Sequence, residues 1–215
     1  MTLKGPERGA ASGEADSLVI FLHGYGADGN DLIGLAEPLA PHLPNTRFIA
    51  PHAPERCANN PFGYQWFPIP WLDGSSEAEM QESAARAFAT LDAFLDGIET
   101  PPERTVLFGF SQGTMMMLHV ALRRAVPYAG LVGFSGRLLL PEALAAAIRS
   151  RPPVLLVHGD QDPMVPVASL TEAANALTAA GVETYTHVSK GVAHGIAPDG
   201  LGLALSFIRS RLGLE

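Results

Sequence analysis

The sequence predicts an α/β domain: a mostly parallel central sheet with helices on both faces. Six β-like runs punctuate the 215 residues, at 18–23, 47–50, 105–108, 129–134, 154–158 and 183–188. Most of them are nearly continuous apolar stretches, as expected of strands buried on both faces of a parallel sheet. Helix-like stretches separate them, and this alternation points to βαβ connections.

The elements follow in order. Residues 1–16, rich in Gly, Ala and Glu, read as a flexible N-terminal arm, and residues 17–215 as one domain. The first run opens into Gly24-Tyr25-Gly26-Ala27-Asp28-Gly29. A helix over 30–43 is suggested by Leu32, Leu35, Ala36 and Leu39 at helical spacing. After the second run, Pro51-His52-Ala53-Pro54 leads into an aromatic, proline-rich loop at 59–73. The longest helix pattern, 77–98, carries Ala84, Ala87, Phe88, Leu91, Phe94 and Leu95 as an apolar stripe. Further helices are expected over 112–124, 141–149, 167–180 (closed by Gly181) and 200–212. No internal repeat, low-complexity linker or long insertion after the fourth run is present, so a large cap domain is not expected.

Composition narrows the function classes. Hydrophobic residues make up 47% and charged residues 17%, which describes a compact globular chain. A net charge of −8 without a Lys/Arg cluster argues against nucleic-acid binding. No apolar run reaches the roughly 18 residues needed to span a bilayer, so stable membrane insertion is not expected. The first residues lack the apolar core of a secretory signal. The lone Cys57 is compatible with a reducing compartment, and a cytoplasmic location is expected. Cys57 itself reads as a spectator thiol.

In open α/β sheets, ligands collect at the carboxyl ends of strands, and the reactive residues fall there. Gly109-Phe110-Ser111-Gln112-Gly113 joins the third run to a helix. Its glycines leave room for a sharp strand-to-helix turn that lifts the Ser111 hydroxyl out of the sheet and aims a helix N-terminus at it. The fifth run opens into Gly159-Asp160-Gln161-Asp162-Pro163-Met164-Val165-Pro166, and the sixth into Gly191-Val192-Ala193-His194-Gly195. The chain order is serine, acid, histidine, as in α/β-hydrolase triads. A serine hydroxyl is a weak nucleophile, so it needs an imidazole to take its proton and a carboxylate to orient that imidazole.

Competitors exist for two of these positions. Asp162 starts a proline-stiffened turn and is favoured as the acid over Asp160, which is placed to cap a turn through backbone N–H groups. Among the histidines, His119 falls in a helix pattern and His187 in a strand pattern. His42 and His52 lie beside prolines in loops with no evident partner, and His23 and His158 end strands ahead of glycines. His194, in a glycine-flanked loop after the last strand, is the expected base.

Acyl transfer also needs two preorganised N–H donors, each worth roughly 3–4 kcal/mol of barrier. Gln112, directly after the serine, supplies one, and Tyr25 in the glycine-rich loop after the first strand is the expected second. Gly24-x-Gly26-x-x-Gly29 also has dinucleotide-fingerprint spacing, but the acidic residue expected about 20 positions later is missing. No cofactor is expected, and no His/Cys/Asp/Glu group has metal-ligand spacing.

Together these pieces resemble the phospholipase/carboxylesterase family of small α/β-hydrolases, which includes the acyl-protein thioesterases. The resemblance rests on Phe21-Leu22-His23-Gly24-x-Gly26, Pro51-His52-Ala53-Pro54, Gly109-Phe110-Ser111-Gln112-Gly113, His158-Gly159-Asp160-x-Asp162-Pro163-x-Val165-Pro166 and Gly191-x-x-His194, spread over nearly the whole chain. It implies Ser111, Asp162 and His194 as the triad, the Tyr25 and Gln112 amides as the oxyanion hole, and a cofactor-free hydrolase of carboxylic esters, thioesters or lysophospholipids. The family pattern usually has a second glycine where Thr114 stands, which narrows the space behind the nucleophile.

The substrate side is read from the 59–73 loop, which holds both tryptophans and two of the ten phenylalanines. Phe62, Tyr64, Trp66, Phe67 and Trp71 are expected to wall a pocket, with Met115, Met164 and Val165 contributing from the other loops. The same exposed aromatics could instead serve a homodimer contact. A small-molecule ester of short to medium length is the leading substrate. A long-chain lysophospholipase or thioesterase is the alternative, and a catalytically silent ligand-binding relative or a lactonase are weaker ones.

Overall fold

The computed structural model describes residues 3–214. Strands β1 (Glu7–Arg8), β2 (Ser17–Leu22), β3 (Thr46–Ile49), β6 (Thr105–Phe110), β7 (Gly130–Phe134), β8 (Val154–Gly159) and β9 (Thr184–Ser189) form one sheet in the order β1-β3-β2-β6-β7-β8-β9. All neighbours are parallel except β1, which runs antiparallel to β3 through Glu7 opposite Ile49 and Arg8 opposite Phe48. Residues 3–8 of the expected arm are therefore tied to the sheet edge. The Ala50 N–H donates to Pro6 O at 2.9 Å, and Leu3 is buried.

Side chains along the inner strands alternate between two buried faces. Leu18, Ile20 and Leu22 of β2 face one core with Leu107, Leu131 and Leu156. Val19 and Phe21 face the other with Phe108, Val132, Phe134 and Val157. This period of two, apolar at every position, is why these strands read as continuous runs. Helices α4 (Glu77–Asp96), α5 (Gln112–Ala121) and α7 (Ala168–Ala179) cover the first face. Helices α1 (Gly29–Ile33), α2 (Ala36–Leu39) and α8 (Pro198–Arg211) cover the second. A Ser76–Glu79 capping box starts α4, with reciprocal bonds of 3.2 and 2.8 Å.

Several expected elements differ. The helix expected over 30–43 is broken into α1, α2 and a 3-10 turn at Ala40–His42. Pro38 and Pro41 lack the N–H groups a continuous helix would need, and Gly34 adds its own entropic cost. The helix expected over 141–149 shrinks to a 3-10 turn, Pro141–Ala143, and α6 (Leu144–Ala147). Within the aromatic loop, β4 (Glu55–Arg56) and β5 (Tyr64–Gln65) pair as a small hairpin, followed by α3 (Pro70–Asp73). Among the described residues no helix is long and apolar enough to cross a membrane.

The order of the strands creates the site. After β2 the chain moves outward to β3 and then returns to place β6 on the other side of β2. Such a switch point leaves a crevice at the strand ends. The loop after β2 and the turn after β6 both open into it.

His119 lies on α5, stacked against Phe88 at 3.6 Å between centroids, with its Nδ1 buried and unpartnered among the described residues. Burial, reinforced by the nearby Arg123 guanidinium, holds its imidazole down at about 4. The unfolded chain takes up this proton near pH 6.5, so this residue's contribution to stability falls as pH drops through the window from about 6.5 to 4. Between pH 7 and pH 5, His119→Phe should therefore lose less thermal stability than the wild type. Equal losses in the two proteins would contradict this.

Candidate active site

Ser111 stands between β6 and α5 with φ 53° and ψ −115°, a strained conformation for a residue with a side chain. Its neighbours explain it. A Cβ on Gly109 would lie 2.5 Å from the Thr114 backbone nitrogen, and one on Gly113 would lie 1.9 Å from Leu22 O. Only glycine at both places lets α5 press this closely on β2 and β6. The Ser111 N–H donates to Phe134 O at 2.8 Å, which anchors the turn to β7. Thr114 is buried, and its hydroxyl donates to Gly109 O at 2.8 Å or Phe134 O at 2.9 Å, so the extra side chain is absorbed without disturbing the elbow.

Asp162 and His194 come together with this serine. His194 Nδ1 is 2.7 Å from Asp162 Oδ2, and His194 Nε2 is 2.9 Å from Ser111 Oγ. The Asp162 side chain is fully buried, and its Oδ1 accepts the Met164 and Val165 N–H groups at 2.8 and 2.9 Å. Burial raises this carboxyl, but the Val165, His194 and Met164 hydrogen bonds more than reverse the effect, leaving it below the usual carboxylate range. An ionised Asp162 accepts a hydrogen bond from Nδ1–H and so keeps the proton on that nitrogen, which leaves the Nε2 lone pair facing the serine hydroxyl. Asp160 does what its position suggested: its Oδ1 accepts the Gly191 N–H at 2.7 Å. The histidine loop lies directly on the acid loop because position 159 is glycine; a Cβ there would stand 2.2 Å from Val192 O.

The Gln112 N–H, at the start of α5, and the Tyr25 N–H have no hydrogen-bond partner among the described residues. Gly24 packs on the elbow, where a Cβ would come within 3.2 Å of Ser111 Cβ. One of the two amides thus directly follows Ser111 in the chain, and the other follows the glycine packed on it.

Three polar side chains that the sequence did not single out for this purpose hold the loops together. Gln112 Oε1 accepts the Trp66 N–H at 2.8 Å, and its Nε2 donates to Phe67 O at 2.7 Å, all buried. His23 is fully buried; its Nε2 accepts the Ala53 N–H at 2.9 Å, so Nδ1–H donates to Gly24 O at 2.7 Å. Burial lowers the His23 pKa and keeps this ring neutral. His158 Nε2 donates to Val165 O at 2.9 Å and lies 3.3 Å from Asp162 Oδ2, bracing the acid from behind. Only the strand-end positions of His23 and His158 signalled a turn-shaping role.

The expected pocket wall needs correction. Trp66 is core: it has no exposure, and its indole N–H donates to His23 O at 2.9 Å. Phe67 and Val165 are also buried. Tyr64 is stacked on His52 at 4.9 Å, with the Arg56 guanidinium 4.3 Å above its ring, so it braces the hairpin. His52 does have a partner, since its Nδ1 accepts the Gly29 N–H at 3.1 Å. Met115 packs half-buried against the core. Phe62, Trp71 and Met164 remain open to solvent at 86%, 70% and 44% exposure, which leaves them free to meet a ligand. The loop is fastened to the Tyr25 segment, because the Tyr25 hydroxyl donates to Asp73 Oδ2 at 3.0 Å and Asn60 Nδ2 donates to Gly26 O at 2.7 Å.

A nucleophile elbow at the switch point of such a sheet, with a serine, a histidine and an aspartate in one hydrogen-bonded line, defines an α/β-hydrolase, and the chain is an ester hydrolase of this type. It belongs to the phospholipase/carboxylesterase family, whose model matches residues 7–212. Acyl-protein thioesterase 1 of Saccharomyces cerevisiae is 31% identical, over 92% of this chain and 94% of its own length. Esterase YpfH of Escherichia coli is 27% identical, covering 91% and 83% respectively. The crystal structure of esterase PE8 superposes with a TM-score of 0.93 at 45% identity, covering 99% of this chain and 100% of that one.

Replacing Gln112 by Met keeps the volume but leaves the Trp66 N–H and Phe67 C=O buried and unpartnered, at about 1–3 kcal/mol each. Gln112→Met should therefore lower the unfolding free energy by about 2–6 kcal/mol in urea denaturation. An unchanged midpoint would show that the clamp does not hold the loop.

Proposed function

We propose that this protein is a serine carboxylesterase that hydrolyses small to medium carboxylic esters through an acyl-enzyme on Ser111. The observation that carries the reading is the continuous line from Asp162 Oδ2 to His194 to Ser111 Oγ, at 2.7 and 2.9 Å. In this reading His194 Nε2 takes the hydroxyl proton as Oγ attacks the ester carbonyl. Asp162 holds the Nδ1–H and stabilises the imidazolium. The Tyr25 and Gln112 N–H groups meet the oxyanion, where each donor is worth roughly 3–4 kcal/mol. His194 then passes the proton to the departing alcohol, and a water molecule activated by the same imidazole frees the acid. The 45% identity to a protein described as an esterase supports ester chemistry.

A second reading, hydrolysis of long-chain acyl thioesters, is favoured by the relatives named acyl-protein thioesterase at 27–31% identity. A series of p-nitrophenyl esters from two to sixteen carbons, run with wild type and Ser111→Ala, separates the two. Serine-dependent turnover should peak at short chains, whereas a peak at long chains moves the assignment to the thioesterase reading. Asp162→Asn should reduce kcat by about 10⁴-fold, as misorienting the imidazole does in other triads, while Asp160→Asn should cost far less. The reverse ranking would reassign the acid, and wild-type turnover by Ser111→Ala would remove Ser111 as the nucleophile.

A further inference from the structure

The segment Pro51-His52-Ala53-Pro54 takes no part in the line from Asp162 to Ser111, yet it holds both ends of the glycine-rich loop after β2. At the far end, His52 Nδ1 accepts the Gly29 N–H at 3.1 Å, and a Cβ on Gly29 would lie 2.0 Å from Ala50 O. At the near end, the Ala53 N–H donates to His23 Nε2 at 2.9 Å. A neutral imidazole carries one N–H, so this bond places the proton on Nδ1, which donates to Gly24 O at 2.7 Å.

The Gly24 carbonyl belongs to the same peptide unit as the Tyr25 N–H. That unit is planar and trans, so its C=O and N–H point in opposite directions. Holding Gly24 O toward the His23 ring therefore fixes the direction of the Tyr25 N–H. The units on either side are held as well. The Trp66 indole N–H donates to His23 O at 2.9 Å, and the Gly26 N–H donates to Tyr64 O at 2.9 Å. The other donor to Gly24 O among the described residues, the Ala27 N–H, is longer at 3.4 Å. Glycine at position 24 leaves this unit free to rotate unless something holds it, and a flipped unit presents a carbonyl where the amide stood.

We propose that His23 is a positioning residue for the reaction: with its tautomer set by the Ala53 N–H, it aims the Tyr25 N–H at the oxyanion. This rests on the serine-esterase reading above and deepens it. The effect belongs to the transition state, because the ester oxygen gains its negative charge there.

The test uses a pair of variants that each keep one ring contact. Asn carries its amide nitrogen two bonds from Cβ, where Nδ1 stands, so His23→Asn retains a donor for Gly24 O. Gln carries its amide oxygen three bonds from Cβ, where Nε2 stands, so His23→Gln retains an acceptor for Ala53 and loses the Gly24 bond. On p-nitrophenyl butyrate, His23→Gln should lower kcat by about 10²-fold, the size of a lost oxyanion donor, with KM changed by less than about twofold. A trifluoromethyl ketone, which adds to the serine as an oxyanion, should bind more weakly by a similar factor. His23→Asn should regain about tenfold of the lost kcat, although each variant loses one buried bond and their urea midpoints fall together. Equal kcat in the two variants, or an unchanged kcat in His23→Gln, would overturn the proposal. Nitrogen-15 NMR of the wild type needs no variant: the His23 proton should sit on Nδ1, and a proton on Nε2 would also overturn it. Ester turnover that survives Ser111→Ala would instead overturn the serine-esterase reading, and the tautomer would still decide whether the ring holds Gly24 O.

Discussion

The close approach of α5 to the sheet governs the rest of this molecule. With Gly113 against Leu22 O and Gly109 against Thr114, the chain must reverse within one residue, and that residue is Ser111 at φ 53°. The strain cannot relax by moving α5 away, because Met116, Met117 and Leu118 on that helix are fully buried in the core of one sheet face. Packing thus forces the hydroxyl above the strand ends and leaves the first amide of α5 without a partner beside it. The core supplies the energy that holds Ser111 in this strained turn.

Everything around the elbow is cross-tied by buried polar bonds. Gln112 joins the elbow to the aromatic loop, Trp66 joins that loop to the His23 carbonyl, and His23 joins the glycine-rich loop to Ala53. On the other side, His158 and two backbone amides fix Asp162, and Gly159 lets the His194 loop lie on the Asp162 loop. Such a network costs little reorganisation when charge develops, which is the property that makes fixed dipoles effective in catalysis. It also explains why the two tryptophans part ways: Trp66 is a structural tie, and Trp71 is surface.

Most of this could be read from the residues. The inner strands announced themselves because both faces are buried, and the elbow because its glycines have no substitute. Asp162, the aspartate that contacts His194, was separable from Asp160 because Pro163 and Pro166 stiffen the turn that Asp162 begins. What stayed hidden was set by pairing at a distance. Glu7–Arg8 and the β4–β5 hairpin are two-residue strands with no periodicity to detect. The Gln112 clamp depends on a partner 46 residues away in the chain. Burial of Trp66 follows from the same contact, so an aromatic loop that composition places at a pocket is half core.

The most direct measurement is a covalent trap. Reaction with a fluorophosphonate, followed by intact mass and peptide mapping, should give one adduct per chain on Ser111. The adduct should be absent in Ser111→Ala and form much more slowly in His194→Ala. Labelling of another residue, or equal labelling of the His194→Ala protein, would contradict a serine activated by the His194–Asp162 pair.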